Sequence, residues 1–109
     1  MKDGLTLQLS NRKKYLDTVI RQKAISLKSA PKGKLRCSAR KGGRSFEYYQ
    51  VTDSSGRNGI YISNASHALA KELAQKEYDS SVLAAAMKER ELICRLEEQR
   101  KNFLSGKFL

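Results

Sequence analysis

The stretch Lys34 to Ser63, KLRCSARKGGRSFEYYQVTDSSGRNGIYIS, constrains the fold more than any other part of the chain. Leu35, Cys37 and Ala39 alternate with Arg36, Ser38 and Arg40, and a period of two places the two sets on opposite faces of a strand. Lys41-Gly42-Gly43-Arg44 interrupts the run with a Gly-Gly pair that tolerates the positive φ of a tight hairpin loop. Phe46 to Thr52 is aromatic and β-branched, as strands are. Asp53-Ser54-Ser55-Gly56-Arg57-Asn58-Gly59 is a second turn, and Ile60-Tyr61-Ile62 alternates again. Short loops between consecutive strands favour an antiparallel meander. Three strands cannot bury two faces, so a helix must cover one of them.

The flanks read as helix. From a cap at Ser10 or Asn11, residues Tyr15, Leu16, Val19 and Ile20, continued by Ala24 and Leu27, recur at helical spacing, with Arg12, Lys13, Lys14, Arg21, Lys23 and Lys28 around them. This basic helix is expected over 10–29 and ends before Ala30-Pro31-Lys32-Gly33. Its amphipathic face can pack on the C-terminal helix, lie on nucleic acid or lie on a membrane; the narrow stripe without Trp or Phe disfavours the last. Leu5, Leu7 and Leu9 alternate, as an extended lead-in or a frayed turn would.

After the sheet, Ser63 or Asn64 can cap a helix over 64–103. Leu69, Ala70, Leu73, Ala74 and Tyr78 form one stripe; Val82, Leu83, Ala86, Met87, Ile93, Cys94 and Leu96 form another. At the helical repeat the second stripe is rotated roughly 150–200° from the first. Either the helix breaks or kinks near Asp79-Ser80-Ser81, where Asp79 is a good cap for a second helix, or its halves meet different partners. The expected division has residues 64–78 on the sheet and 80–103 on the N-terminal helix or on another chain. The apolar tail Phe108-Leu109 suggests a docked end or a chain cut from something longer. The fold class is therefore α+β: an N-terminal helix, a three-stranded antiparallel sheet and one long or broken C-terminal helix. One small domain over 1–109 is expected.

Charge narrows the function. Residues 1–63 hold 14 Lys/Arg against 4 Asp/Glu, and residues 64–109 hold 8 against 7, so +10 of the net +11 belongs to the first helix and the sheet. Such asymmetry favours an anionic partner, nucleic acid above all. Parity supplies a surface for it. If Leu35 and Cys37 point inward, Arg36 and Arg40 point outward. Phe46/Tyr48 and Tyr49/Val51 are both apolar pairs, which leaves the middle strand open. With Tyr49 and Val51 inward, Tyr48 and Gln50 join the arginines. Candidate nucleic-acid contacts are thus Arg36, Arg40, Lys41, Arg44, Tyr48 and Gln50, with Lys32 and Lys34 neutralising backbone phosphates. DNA is favoured over RNA. The alternative function is an assembly module that pairs helix 80–103 with a partner helix or with itself.

No residues assemble into catalytic spacing. His67, the only histidine, falls in a helical first turn without a Ser, Cys or metal-ligand companion. The Asp53–Gly59 loop lacks a Gly-Lys-Ser/Thr ending and precedes a strand, which excludes a phosphate loop. Cys37 and Cys94 have no metal spacing and are expected as buried free thiols. A non-enzymatic chain without cofactor or metal is expected. Without a secretory leader or a run of about 20 apolar residues, it is expected in the cytoplasm and off the membrane.

Two resemblances accompany this reading. The order of strand, Lys/Gly turn, aromatic strand, Asp/Gly turn, Tyr-Ile strand and helix over 34–78 resembles the arm-type DNA-binding domain of tyrosine recombinases. That implies a helix-backed sheet that reads a major groove. Pro31-Lys32-Gly33-Lys34-Leu35-Arg36, Tyr48-Tyr49, Tyr61-Ile62 and Leu73-Ala74-Gln75-Lys76-Glu77-Tyr78 resemble uncharacterised proteins of Firmicutes, over residues 10–104. Longer members of that group continue into a domain similar to PD-(D/E)XK nucleases, which has no counterpart in this sequence. The resemblance implies an accessory module that positions such a nuclease, and it carries over no activity.

Overall fold

The computed structural model describes residues 4–40, 42, 43, 45–104 and 106. The elements run α1 (Gly4–Lys28), β1 (Lys34–Ala39), β2 (Phe46–Val51), β3 (Ile60–Ile62), a 3-10 turn (Asn64–Ser66) and α2 (His67–Leu104). This is the expected α+β order, with a single long C-terminal helix. The chain gathers into two compact units, one made of Met1–Ala24 with Val82–Leu109 and the other of Ile25–Ser81.

The unit Ile25–Ser81 holds the sheet, ordered β1-β2-β3 with both pairings antiparallel. Its core is Ile62, Ala70 and Leu73, with Leu35, Tyr48 and Leu69 packed around them. Leu73 is the anchor at 1% exposure. The first part of α2 thus covers one sheet face, as the stripe through Leu69, Ala70 and Leu73 requires. Ala74 and Tyr78, assigned to that stripe by spacing, are exposed. The two hairpin loops follow their chemistry. Gly42 and Gly43 both take positive φ, and the Gly43 N–H donates to the Arg40 carbonyl at 2.8 Å. In the second loop, the Ser55 hydroxyl accepts from the Thr52 N–H at 2.9 Å and donates to the Thr52 carbonyl at 3.0 Å.

The other unit is a helical pair. Leu16, Ala86 and Ile93 are buried together, and Leu9, Val19 and Ile20 pack on them. Lys13 donates to Glu97 at 2.7 Å, Arg12 grips Glu89, and Arg90 pairs with Asp17. Thr6 meets Arg100, Lys13 meets Glu97 and Asp17 meets Arg90, so these pairings ascend α1 while descending α2 and the segments are antiparallel.

Two expectations change, the first and third below, and one alternative left open is decided. First, α1 begins at Gly4, six residues before the expected start at 10. The alternation of Leu5, Leu7 and Leu9 suggested extended chain, but Leu9 lies two turns before Leu16 and packs on the same cluster. Second, α2 passes through Asp79-Ser80-Ser81 unbroken. Asp79 is buried rather than capping a new helix, and it accepts a 2.9 Å hydrogen bond from Gln75 Nε2 one turn earlier. The rotated stripes are accommodated by different neighbours for the two halves. Third, the thiols are free but not fully buried: Cys94 is half-buried and Cys37 is exposed. Cys37 lies on the helix-facing side of an edge strand, beyond the part that the Leu73 cluster covers. The tail Phe108-Leu109 lies outside the described residues, and Phe103 is exposed.

Candidate nucleic-acid interface

Register decides which residues share a face. Leu35 pairs with Gln50, Arg36 with Tyr49, Cys37 with Tyr48 and Ser38 with Glu47. Across the second ladder, Tyr48 pairs with Ile62, Tyr49 with Tyr61 and Gln50 with Ile60. Directly opposed residues of an antiparallel pair point the same way. Ile62 and Leu35 belong to the core, so Tyr48 and Gln50 face the helix, and Arg36, Ser38, Glu47, Tyr49, Val51 and Tyr61 face away from it.

Two expected contacts are therefore corrected. Tyr48 packs on the Ile62–Leu73 cluster and meets the His67 ring edge-on at 6.1 Å. Gln50 reaches the rim, where its Nε2 donates to the Lys32 carbonyl at 2.8 Å. The middle strand offered two apolar pairs, and the register turns Tyr49 outward, where its hydroxyl donates to Glu47 Oε2 at 2.8 Å. Gln50 tolerates the inner face because a backbone carbonyl waits at the edge.

The outer face is an ordered cluster. The Arg36 guanidinium lies over the Tyr49 ring, 4.1 Å from its centroid, and its Nε–H donates to the Asn58 carbonyl at 2.8 Å. Tyr61, 49% exposed, meets Tyr49 edge-on at 5.6 Å. Glu47 binds Tyr49 with one oxygen and Arg40 with the other, the latter at 3.3 Å. The hydrogen bond to Glu47 raises the Tyr49 phenol above its ordinary pKa, assisted by partial desolvation and opposed by Arg36. Arg40 is thus partly neutralised, whereas Arg36 is held by a carbonyl and a ring and keeps its charge. Stacking and a backbone acceptor aim its planar head without discharging it.

Of the remaining expected contacts, Lys32 and Lys34 are exposed at the entrance to β1. Lys41 and Arg44 lie outside the described residues. Spacing overlooked Glu47, Tyr49 and Tyr61. The signal available was a pairing of opposites: with Glu47 outward, the same parity sets an acid beside Arg40 and a ring beside Arg36. Lys76, by contrast, is spent inside the unit, its Nζ donating to the Pro31 and Gly33 carbonyls at 2.9 and 3.0 Å.

Among the described residues, no group of three or more His, Cys, Asp or Glu side chains comes together to hold a metal, and no helix is long and apolar enough to cross a membrane. No family model, curated protein or solved structure matches the chain.

Proposed function

We propose that this chain is a non-enzymatic nucleic-acid-binding module that uses the helix-free face of its sheet, with DNA as the expected ligand. The observation that carries the reading is Arg36 stacked on Tyr49 beside Tyr61, on a sheet face opposite the helix. Flat aromatic and guanidinium surfaces stack on bases, and cations beside them neutralise the backbone. The charge around the cluster agrees in sign. From Lys32 to Arg57 there are seven Lys/Arg and two Asp/Glu. In this reading Arg36 offers its planar face to a base and its charge to the adjacent phosphate, Tyr61 stacks on a base, and Arg40, Lys32 and Lys34 serve phosphates. Lys41 and Arg44 remain candidates by sequence. Tyr48 and Gln50 act from behind by fixing the sheet. The second reading, assembly through residues 80–103, is favoured by a separate row of exposed apolar side chains on α2.

Anisotropy titrations with labelled single-stranded DNA, duplex DNA and RNA test the first reading. With Lys32, Lys34, Arg36 and Arg40 engaged, affinity is expected to fall about a hundredfold between roughly 50 and 200 mM salt. Replacing Arg36 and Arg40 together by Ala should weaken binding and leave the circular dichroism spectrum unchanged. Absence of binding to all three probes at low salt refutes the proposal.

A further inference from the structure

In the unit Ile25–Ser81, β1 is an edge strand: it pairs with β2 on one side and with no strand on the other. The Arg40 N–H donates to the Ser45 carbonyl at 2.8 Å, and the β1–β2 register continues from that pair without a bulge. Hydrogen-bonded pairs of an antiparallel ladder recur at every second residue. Ser38, Arg36 and Lys34 therefore turn their backbone groups toward β2, and Leu35, Cys37 and Ala39 turn theirs to the open side. Among the described residues, no hydrogen bond reaches the N–H or carbonyl of these three. Cys37 and Ala39 are exposed, as an uncovered edge requires. The opposite edge, β3, turns only Tyr61 outward in this way.

Beside this edge, between β1 and α2, lies a groove of about 390 Å³ lined by Leu35, Leu73, Lys76, Glu77 and Ser81 among others. Lys76 and Glu77 balance in charge, and Lys76 is already held by the Pro31 and Gly33 carbonyls. What the groove offers a new side chain is chiefly its leucines. A strand added to β1 sets every second side chain on the groove side and the others on the outer face, beside Lys34, Arg36 and Arg40. An open edge with a groove behind it is the geometry of β-augmentation. There, main-chain hydrogen bonds give affinity and pockets for alternate side chains give specificity. Charge selects the occupant. In an antiparallel pairing of two copies with Cys37 opposite itself, Lys34 faces Arg40. Sliding the copies by two residues sets Arg36 opposite Arg36 or opposite Arg40. Like charges directly opposed are destabilising, so β1 does not match itself and calls for carboxylates.

We infer that the open edge of β1 takes up, as a fourth strand, an extended segment of a partner protein in which apolar residues alternate with acidic ones. This is independent of the nucleic-acid reading. The probe is a labelled eight-residue peptide alternating Val and Glu, titrated against the full chain by anisotropy. It should bind, and a peptide alternating Val and Lys should not. A paired strand uses the N–H groups of alternate residues only. Methylating one alternate set of peptide nitrogens should therefore weaken binding about tenfold or more, and methylating the other set should change it little. Amide exchange at Leu35, Cys37 and Ala39 should slow when the peptide saturates the chain, while Ser38 is protected with or without it. Cys37→Pro removes an outward N–H and no ladder bond, so it should abolish binding with an unchanged circular dichroism spectrum. If that variant unfolds, the methylated peptides and the exchange of the unaltered chain decide. Failure of the Val-Glu peptide to bind overturns the proposal. So does equal binding of both methylated peptides, unchanged exchange at the three amides, or a Val-Lys peptide that binds as tightly.

Discussion

At the residue scale, single groups fix geometry out of proportion to their size. Gly33 has φ +90°, and a Cβ there would collide with the Val51 carbonyl, whereas Gly42 has φ +104° with open space around it. Both positions disfavour a side chain by conformation, but only Gly33 adds a backbone clash. Gly33→Ala is therefore expected to cost about 1–3 kcal/mol beyond the roughly 1 kcal/mol of Gly42→Ala. Urea unfolding of the two variants checks this, and equal midpoints would contradict it. Tyr49 yields a second expectation. Its folded pKa is raised, chiefly by the Glu47 hydrogen bond, so the folded state holds the phenolic proton more tightly. The associated stability is present below the unfolded phenol's pKa, near 10.0, and disappears as pH rises through the folded value. Glu47→Gln should bring the Tyr49 titration, followed by the absorbance difference against Tyr49→Phe, back toward 10.0. Glu89 shows the opposite sign: Arg12 lowers its pKa, so its contribution is present above the unfolded carboxyl's value and lost as pH falls through the folded one.

At the scale of elements, α2 carries two stripes that no single partner can meet. Its first part buries Ala70 and Leu73 against the sheet, and its last part buries Ala86 and Ile93 against α1. Between them, Asp79 and Gln75 bond to each other one turn apart, which lets a buried carboxylate sit within a continuous helix. Leu73→Ala removes the most buried side chain of the sheet unit and is expected to cost about 2–5 kcal/mol. Thermal unfolding followed through tyrosine fluorescence, which the sheet residues Tyr48, Tyr49 and Tyr61 report, is the check. A destabilisation below about 1 kcal/mol would mean that the helix does not brace the sheet.

At the scale of the whole molecule, charge is distributed unevenly. The +10 of residues 1–63 contrasts with the near balance of residues 64–109. The nucleic-acid proposal draws on the basic part. Its expected signature is the salt slope itself. Removing Arg36 and Arg40 should reduce the magnitude of the log–log slope by about 1.5–2, since each phosphate left without its arginine keeps its own counterion. An unchanged slope with weaker binding would assign the two arginines to structure and not to the phosphate backbone.

The order of elements, both turns, the buried centres of the two helical stripes and the charge division were legible in the primary structure, whereas Ala74, Tyr78, Met87 and Leu96, assigned to those stripes by spacing, are exposed. The legible features depend on local periodicity and turn chemistry, which act over a few residues. Facing was not legible where both parities were apolar. Phe46/Tyr48 and Tyr49/Val51 read alike until cross-strand register set Tyr48 beside Ile62 and Tyr49 beside Arg36. The same holds for the start of α1, where Leu9 becomes helical by packing near Leu16, and for Asp79, a good cap by residue type that is buried mid-helix. In each case the local preference was nearly balanced. Burial of apolar surface and satisfaction of a polar group, both of which need partners distant in the chain, made the choice.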